Sequence, residues 1–462
     1  MDLLLHIGGI LVTAALAALL PPWPRRLLLL AAATVLYGAI DWRFPLLLWA
    51  IILVTYAAGL WLGAKQRSAG GILGCVALVL APLAVYKYLP VWLGGLDRIL
   101  PVSGLDFGGY GSVLVPVGLS FYSFACCGYL IDVHRRTVPP ERHLARLALF
   151  ASFYPVLLSG PIERYASLSK PLWEGRRPSP DMVMDGLLLI AWGLFLKEVL
   201  GDRLGGVVDA AYTQYATAGW RGALTGFLCF ALQLLADFGG YSLIAVGAGK
   251  LFGLELIRNF RQPYFAETLP DFWQRWHISL TRWIGDYVYR PTGMMMVRLT
   301  RWGRWRKEAV AAYVTWITMG LWHGAEATFV VFGAVQASLL LAWKALPNPP
   351  ATRHPLRRGG AMLVTFAIVV ITFGIIRASS LEQYGAMLGA LLTLEPGRLN
   401  ADVSRTAILV SVLMIAVEAI ARFRPQAQIN SVWLRAALIF LLVLAAVVLG
   451  TDDARNFVYF RF

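Results

Sequence analysis

The amino-acid sequence predicts an all-α integral membrane protein with many membrane-spanning helices. Of its 462 residues, 58% are hydrophobic and only 15% are charged, and apolar runs recur along nearly the whole chain. Soluble proteins are about 45–50% apolar and about 25% charged, so this balance does not suit a solvated surface of this size. The apolar runs indicate roughly 11–12 transmembrane helices, together with re-entrant and interfacial helices.

The positive charge of the chain also suits a membrane protein. The net charge is +15, and the basic residues cluster in short loops between apolar runs, as the positive-inside rule describes. We therefore expect no nucleic-acid partner, and a basic cytoplasmic face would suit an anionic, phosphate-bearing substrate. The four cysteines lie in apolar runs without a C-x-x-C pair, which argues against a disulfide framework or a structural zinc site.

Residues 1–110 contain the predicted N-terminal helices. The first apolar run, 3–20, has no basic segment before it and is predicted to be a retained span, not a cleaved signal peptide. It ends at a Pro-Pro-Trp-Pro-Arg-Arg sequence, and if Arg25 and Arg26 are cytoplasmic, the N-terminus lies on the outer side of the membrane. Further runs follow at 27–40, 46–62 and 71–86.

Residues 111–345 form a more irregular predicted core. Its first apolar runs are 114–131, 144–158, 182–200 and 222–236. We expect the sequence Asp-Phe-Gly-Gly-Tyr at 237–241 to interrupt the last of these. Residues 271–291, DFWQRWHISLTRWIGDYVYRP, have an amphipathic pattern that suits a helix at an interface or along a cavity. The basic and aromatic stretch 298–307 that follows is expected to face the cytoplasm.

Simpler apolar runs complete the chain at 309–321, 329–343, 361–376, 406–420 and 432–450. We see no clear internal repeat, which weighs against transporter folds built from inverted repeats. No linker is long enough to separate two domains, so a single membrane domain over 1–462 is predicted. Residues 346–462 would supply its C-terminal helices and an aromatic tail.

Two of the six histidines are candidate catalytic residues. His323 lies between two apolar runs, where an ionisable group is costly and therefore a functional candidate. Imidazole can accept a proton from an attacking hydroxyl group, and Gly320 and Gly324 would let a substrate approach closely. His277 lies among Trp and Arg residues that could bind a nucleotide or shape a polar tunnel. A structural histidine between helices, or an interfacial anchor, remains the alternative for each.

A metal site is not expected, because the two histidines are 46 residues apart and lack neighbours at metal-ligand spacing.

Seven ordered blocks resemble the bacterial branch of the membrane-bound O-acyltransferase family, and alginate O-acetyltransferase-type proteins in particular. The blocks are VGLSFYSF from 117, YLIDV from 129, SGPI from 159, DFGGYS from 237, NFRQPY from 259, DFWQRWHISL from 271 and LWHGA from 321. Each block is modest alone, but their order and spacing are specific.

The chain departs from the pattern of this family at three places. Leu243 stands where the family often carries an acidic residue, and Glu163 stands where an uncharged residue is commoner. The sequence Arg-Pro-Thr-Gly-Met at 290–294 replaces the usual Ile-Pro-Leu-Gly-Gly. These changes concern the expected acceptor and partner contacts and not the expected fold.

The resemblance implies a ring of tilted helices around a central funnel in the bacterial inner membrane. It implies that His323 is catalytic and that His277 lies on the same tunnel. The expected donor is cytoplasmic acetyl-CoA, with no bound cofactor, and the expected acceptor is a polysaccharide served by a periplasmic or extracellular acyltransferase partner. Membrane lipid would surround the helices. Further tunnel or donor-binding candidates are Asp237, Asn259, Trp273, Arg275, Trp276, Ser279 and Trp322.

The aromatic C-terminus resembles the tail of several members of this family. Tyr459 is a candidate acyl shuttle that would carry the acyl group as an ester, and an interfacial aromatic anchor is the alternative. The expected activity is acetyl transfer from acetyl-CoA for polysaccharide O-acetylation. Alternatives are transfer of D-alanyl or another acyl group from a carrier-protein thioester to a wall polymer, a lipid or polysaccharide transporter, and a passive scaffold in which both histidines are dispensable.

Overall fold

The computed structural model describes residues 3–64, 69–99, 116–346, 354–423 and 431–450, and within these ranges the chain is helical and contains no β-strand. The helices are α1 Leu3–Leu19, α2 Pro22–Gly38, α3 Arg43–Ala64, α4 Ala69–Ile99, α5 Leu119–His134, α6 Leu144–Ser152, α7 Tyr154–Leu157, α8 Tyr165–Glu174, α9 Pro180–Phe195, α10 Asp202–Thr213, α11 Tyr215–Leu251, α12 Leu269–Arg275, α13 Ile278–Ile284, α14 Arg290–Leu299, α15 Arg304–His323, α16 Ala327–Ala345, α17 Pro355–Arg377, α18 Leu381–Thr393, α19 Ala401–Phe423 and α20 Val432–Leu449. Two π-helical turns, Leu196–Gly201 and Gly285–Tyr289, join α9 to α10 and α13 to α14.

Seven helices of the described ranges are long and apolar enough to cross a membrane: α3, α4, α11, α16, α17, α19 and α20. The protein is therefore a multi-pass membrane protein, as the sequence predicts. Helix α1 is a further, shorter apolar helix of 17 residues. The predicted total of about 11–12 crossings would require such shorter helices as well. That total, the ring around a funnel and the single-domain organisation stay predictions.

Helix α20 shows how the surface of the protein suits lipid. Arg435 is its single charged residue and the others are apolar, and only 6% of its most apolar 18-residue window is buried inside the protein. A helix of this composition would be insoluble in water if left exposed, whereas lipid tails solvate it. Membrane lipid is therefore the expected environment of this face.

One compact unit consists of residues Met1–Ile190 and Ala245–Ile257. Arg25 ties its parts together, because its guanidinium group donates hydrogen bonds to the carbonyl oxygens of Gly175 at 2.7 Å and Phe252 at 3.0 Å. Its side chain is buried and lies inside α2, which begins at Pro22. The positively charged Arg25 therefore also satisfies carbonyl groups just beyond the ends of α8 and α11.

Glu163 is a buried carboxyl group in the loop before α8. One of its oxygens accepts a hydrogen bond from the backbone N–H of Ile257 at 2.7 Å, and the side chain of Ser167 lies 3.5 Å from the other oxygen. Burial raises the pKa of the Glu163 carboxyl from 4.5 to about 7, because desolvation disfavours the charged form. Glu163 is one of the departures from the family pattern, and it makes the stability of this unit sensitive to pH.

We expect Glu163→Gln to remove part of this pH dependence. Since the folded pKa exceeds the unfolded value, the contribution of Glu163 to stability is complete below pH 4.5 and is lost as the pH rises to about 7. Glutamine keeps the acceptor oxygen for Ile257, so the variant should be more stable than wild type above pH 7, by about 3 kcal/mol at most. Thermal unfolding across this pH range measures the effect. Glu174→Gln, at an exposed carboxylate, is the control, and equal pH profiles for wild type and Glu163→Gln would contradict the assignment.

The second compact unit consists of residues Ala191–Ile244 and Arg258–Phe462. Within it, the end of α9 approaches α11 closely at two glycines, Gly193 and Gly240. A Cβ atom added to Gly193 would lie 2.4 Å from the carbonyl oxygen of Gly240, which is too close for any side chain. Small residues at a helix contact allow the backbones of membrane helices to pack in this way.

Helix α11 corrects one expectation from the sequence. It continues without interruption through Asp237–Tyr241 to Leu251, so the predicted break there is wrong. The pair of glycines at 239–240 does not end the helix. Instead, Gly240 provides the close contact with α9, and the surrounding apolar sequence maintains the helix. A non-helical backbone does occur in α11, but at Gly219, where φ is 59° and ψ is −162°.

Candidate active site

His277 lies at a sharp break between the short helices α12 and α13. Its backbone is left-handed, with φ 42° and ψ 53°, a conformation that costs a non-glycine residue about 1–2 kcal/mol. The amphipathic helix predicted over 271–291 is therefore broken: α12 ends at Arg275, and α13 begins at Ile278. Strained backbone conformations of this kind cluster at active sites and ligand clamps, so the break supports a functional role for His277.

The imidazole of His277 is enclosed by aromatic rings. The residue is 3% exposed. The ring of Phe238, on α11, meets it edge to face at a centroid distance of 4.7 Å, and the ring of Trp322 lies at 6.1 Å. Edge-to-face contacts are a favourable arrangement of aromatic rings. These neighbours restrict the directions in which the imidazole can point.

His323 is the last residue of α15 and is half-buried. Its ring lies 4.7 Å from that of Trp322 and is stacked at 6.1 Å on that of Phe329. The sequence suggested that the two flanking glycines let a substrate approach closely. In the structure they are packed against Phe329 instead. A Cβ at Gly320 would lie 2.2 Å from the Phe329 carbonyl oxygen, and one at Gly324 would lie 2.2 Å from the Phe329 ring. The glycines therefore allow α16 to pack against the end of α15.

Both histidines line one small, partly open cavity with a free volume of about 20 Å³. The structure therefore brings His277 and His323 to one cavity of this unit, and the tunnel that the family resemblance implies stays a prediction. The rest of its lining is almost entirely apolar and consists of Leu234, Trp273, Trp276, Leu280, Thr281, Met319, Phe332, Phe373 and Ile376. In a cavity of low polarity, electrostatic and proton-transfer interactions between a bound substrate and the imidazoles are stronger than in water.

Trp273 and Trp276, two predicted tunnel residues, form part of the cavity wall. The indole N–H of Trp273 donates to the side-chain oxygen of Gln336 at 3.3 Å, and the amide nitrogen of Gln336 donates to Thr372 at 3.0 Å. Polar bridges between membrane helices are satisfied in this way because no water is available. Gln336 was not among the sequence candidates. A lone glutamine within the apolar run 329–343 was the available signal.

Three other sequence candidates, Trp322, Ser279 and Asn259, lie close to the histidines but are not part of the described lining of the cavity. Trp322 contacts both imidazole rings. The backbone N–H of Ser279 donates to the side-chain oxygen of Asn259 at 3.1 Å. Arg275, by contrast, forms an ion pair with Asp271 at 2.7 Å and does not belong to the described lining of the cavity.

Asp237 belongs to a buried ion cluster. The Lys197 ammonium group lies 2.5 Å from a carboxylate oxygen of Asp202 and 3.2 Å from one of Asp237. No side chain of the three is more than 5% exposed. Lys197 lies in the π-helical turn Leu196–Gly201, whose extra residue changes the direction of the side chains that follow. Asp237 is therefore an ion-pair partner in the interior of α11, and not a residue at the end of a helix.

The remaining site candidate, Tyr459, lies outside the described residues. The basic and aromatic stretch 298–307 is described, and it combines the end of α14 with the start of α15. Trp302 and Trp305 are each 47% exposed. Arg304 forms an ion pair with Glu308 at 2.8 Å. The indole rings and guanidinium groups of this stretch are thus available at the surface, as expected of an interfacial segment.

Comparison with known proteins identifies the family. A sequence model of the membrane-bound O-acyltransferase (MBOAT) family matches residues 141–380, more than half of the chain and the part that contains both cavity histidines. The chain belongs to the MBOAT family. This MBOAT is 32% identical to the probable alginate O-acetylase AlgI of Pseudomonas putida over 477 aligned residues, which cover 95% of this chain and 94% of that protein.

More distant relatives in the MBOAT family are named for their action on other polymers. The chain is 27% identical to the peptidoglycan O-acetyltransferase of Helicobacter pylori over 68% of its length and 62% of that protein. It is 24% identical to the teichoic acid D-alanyltransferase of Bacillus subtilis over 64% of its length and 73% of that protein. The protein is therefore an acyltransferase of the membrane. Membership of the family confirms the resemblance and favours the enzyme over the transporter and scaffold alternatives.

Proposed function

We propose that this MBOAT moves an acetyl group from cytoplasmic acetyl-CoA across the membrane for O-acetylation of an exopolysaccharide or cell-wall polysaccharide. The observation that carries the proposal is the pair of imidazoles, His277 and His323, on one apolar cavity. Relatives named as O-acetylating enzymes of alginate and peptidoglycan support the choice of the acetyl group. A cavity with aromatic walls also suits a small acyl group.

In the proposed reaction, His323 acts as the general base. Its imidazole takes the proton from an attacking hydroxyl group, and the hydroxyl oxygen forms a new bond to the thioester carbonyl carbon. The carbon–sulfur bond then breaks, and the proton passes from the imidazolium to the departing thiolate, so that free CoA leaves as a thiol. His277 orients the donor or assists proton movement. The apolar walls limit the entry of water, which would otherwise hydrolyse the thioester.

The donor would approach from the basic face of the protein. We assign the attraction of the CoA phosphates to the stretch 298–307, because Arg and Lys side chains bind phosphate oxygens through charge-assisted hydrogen bonds. The field of several neighbouring positive charges also raises the local concentration of an anionic ligand. In the same proposal this face is cytoplasmic, the N-terminus lies on the outer side, and the membrane is the bacterial inner membrane.

Delivery to the polymer would require a partner. The described residues form membrane helices and the loops between them, so a separate periplasmic or extracellular acyltransferase would complete the transfer to the polysaccharide. Tyr459 would carry the acyl group as an ester between the cavity and this partner.

Donor labelling tests the proposed function. Proteoliposomes that contain the purified protein, with a periplasmic acyltransferase partner and an oligosaccharide acceptor in the lumen, are given radiolabelled acetyl-CoA or, separately, a carrier protein charged with radiolabelled D-alanine. We expect acetyl-CoA alone to produce labelled acceptor, with release of one free CoA for each acetyl group. Label that comes only from the charged carrier protein would favour the D-alanyl alternative. Acceptor that stays unlabelled with both donors would contradict the proposal.

A further inference from the structure

Helix α13 begins without the usual cap. The first N–H groups of a helix have no acceptor inside the helix and need one from elsewhere, most often the side chain of the preceding residue. Here the preceding residue is His277, whose side chain makes no capping hydrogen bond. Its left-handed backbone is also unfavourable for a residue with a side chain. Another part of the chain must therefore maintain this conformation.

Asn259 provides both missing acceptors. Its backbone carbonyl oxygen accepts from the N–H of Ile278 at 2.9 Å, and its side-chain oxygen accepts from the N–H of Ser279 at 3.1 Å. Asn259 is only 1% exposed, so water does not compete for these bonds. The orientation of its amide is determined, because an N–H group can only meet the oxygen of the side chain and not its NH₂ group.

The residues after Asn259 hold the other side of the break. The backbone N–H of Arg261 donates to the carbonyl oxygen of Arg275 at 3.0 Å, at the end of α12. The ring of Phe260 meets that of Trp276 at 4.9 Å and that of Phe238 at 5.2 Å. Phe238 is the ring that meets His277 edge to face. The segment 259–261 is thus in contact with the chain on both sides of His277 and with its principal aromatic neighbour.

We infer that Asn259 is a positioning residue that maintains the left-handed backbone of His277 and so directs its imidazole into the cavity. The inference deepens the proposed function, on which its catalytic consequence rests. Without the side-chain acceptor at 259, the N–H of Ser279 has no partner, and the backbone of His277 relaxes towards the right-handed region that its side chain prefers. The imidazole then points away from the cavity, although the residue itself is unchanged.

The test compares two substitutions of Asn259 and a remote control. Asn259→Ala removes the side-chain acceptor, and Asn259→Asp keeps an oxygen at the same position. Ser380→Ala removes an ordinary helix cap, because the Ser380 hydroxyl accepts from the N–H of Gln383 at 3.1 Å at the start of α18. For each variant, kcat and KM for acetyl-CoA are measured in proteoliposomes, together with hydrogen exchange of the peptide containing Ile278 and Ser279.

We expect Asn259→Ala to lower kcat by about 10–100-fold, the effect of a misplaced group near the reacting atoms, with little change in KM and faster exchange at 278–279. Asn259→Asp should keep exchange slow and restore most of kcat. Ser380→Ala should loosen α18 and leave kcat unchanged. The inference is overturned if Asn259→Ala keeps the wild-type kcat, or if its kcat falls while exchange at 278–279 stays slow. Should wild type transfer no acetyl group at all, the exchange data still decide the capping role independently of the proposed function.

Discussion

Replacing His323 by alanine is expected to reduce acetyl transfer by about 10²–10⁴-fold, the contribution of a positioned general base. The imidazole is the group that would accept the proton of the attacking hydroxyl, and alanine leaves no base in its place. Since the residue is half-buried at the end of α15, the protein should still insert and fold. The measurement is release of free CoA and labelling of the acceptor in proteoliposomes that contain the purified variant, the partner and the acceptor.

His354→Ala is the matched control for this experiment. His354 precedes α17, is exposed and makes no capping hydrogen bond with its side chain, so its loss should leave transfer unchanged. His277→Ala should fall between the two variants if His277 orients the donor. Normal consumption of acetyl-CoA by His323→Ala, in a preparation with the same thermal stability as wild type, would show that His323 is not the base.

Replacing Lys197 by methionine is expected to destabilise the protein by about 3–5 kcal/mol, the usual cost of breaking a buried ion pair from one side. Methionine leaves the carboxylates of Asp202 and Asp237 near each other without the ammonium group that lies 2.5 and 3.2 Å from them. Neither carboxylate is more than 5% exposed, so water cannot replace the lost partner. Thermal unfolding and the monodisperse fraction after size-exclusion chromatography measure the effect.

Two further variants distinguish the contribution of burial to the stability loss from that of ion pairing alone. Lys344→Met removes an ion pair of the same 2.5 Å length to Glu308, but the Lys344 side chain is 49% exposed, so the loss should be about 0–1 kcal/mol. The triple substitution Lys197→Met, Asp202→Asn and Asp237→Asn removes all three charges and should recover much of the stability. If Lys197→Met and Lys344→Met are equally stable, the buried cluster has no special role in stability.

The histidine pair shows how far local sequence reasoning reaches. His277 and His323 are identified by residue type, by their apolar surroundings and by the resemblance to the family, although 46 residues separate them. Their presence on one cavity follows from the path of α11 to α16, which no local pattern specifies. The wall of that cavity is equally a product of packing, because residues such as Leu234, Phe332 and Phe373 are ordinary members of apolar runs.

Two helix boundaries were predicted wrongly for related reasons. The glycines at 239–240 suggest a break, but the helix continues, because Gly240 is needed for the close contact with α9. The segment 271–291 suggests one amphipathic helix, but it breaks at His277, because Asn259 accepts the hydrogen bonds that start a new helix. In both places a residue distant in sequence decides the backbone, and local propensity gives no information about it.

The sequence by itself determined that this protein is a helical, multi-pass membrane protein of the MBOAT family, since apolar content and ordered motifs are properties of the chain read in one dimension. Only the tertiary structure decided where the imidazole of His277 points, which carboxylates pair with Lys197, and that Asn259 caps α13. The physical reason is that hydrogen bonds and ion pairs depend on distances of about 3 Å. The packing of the helices against one another sets such distances.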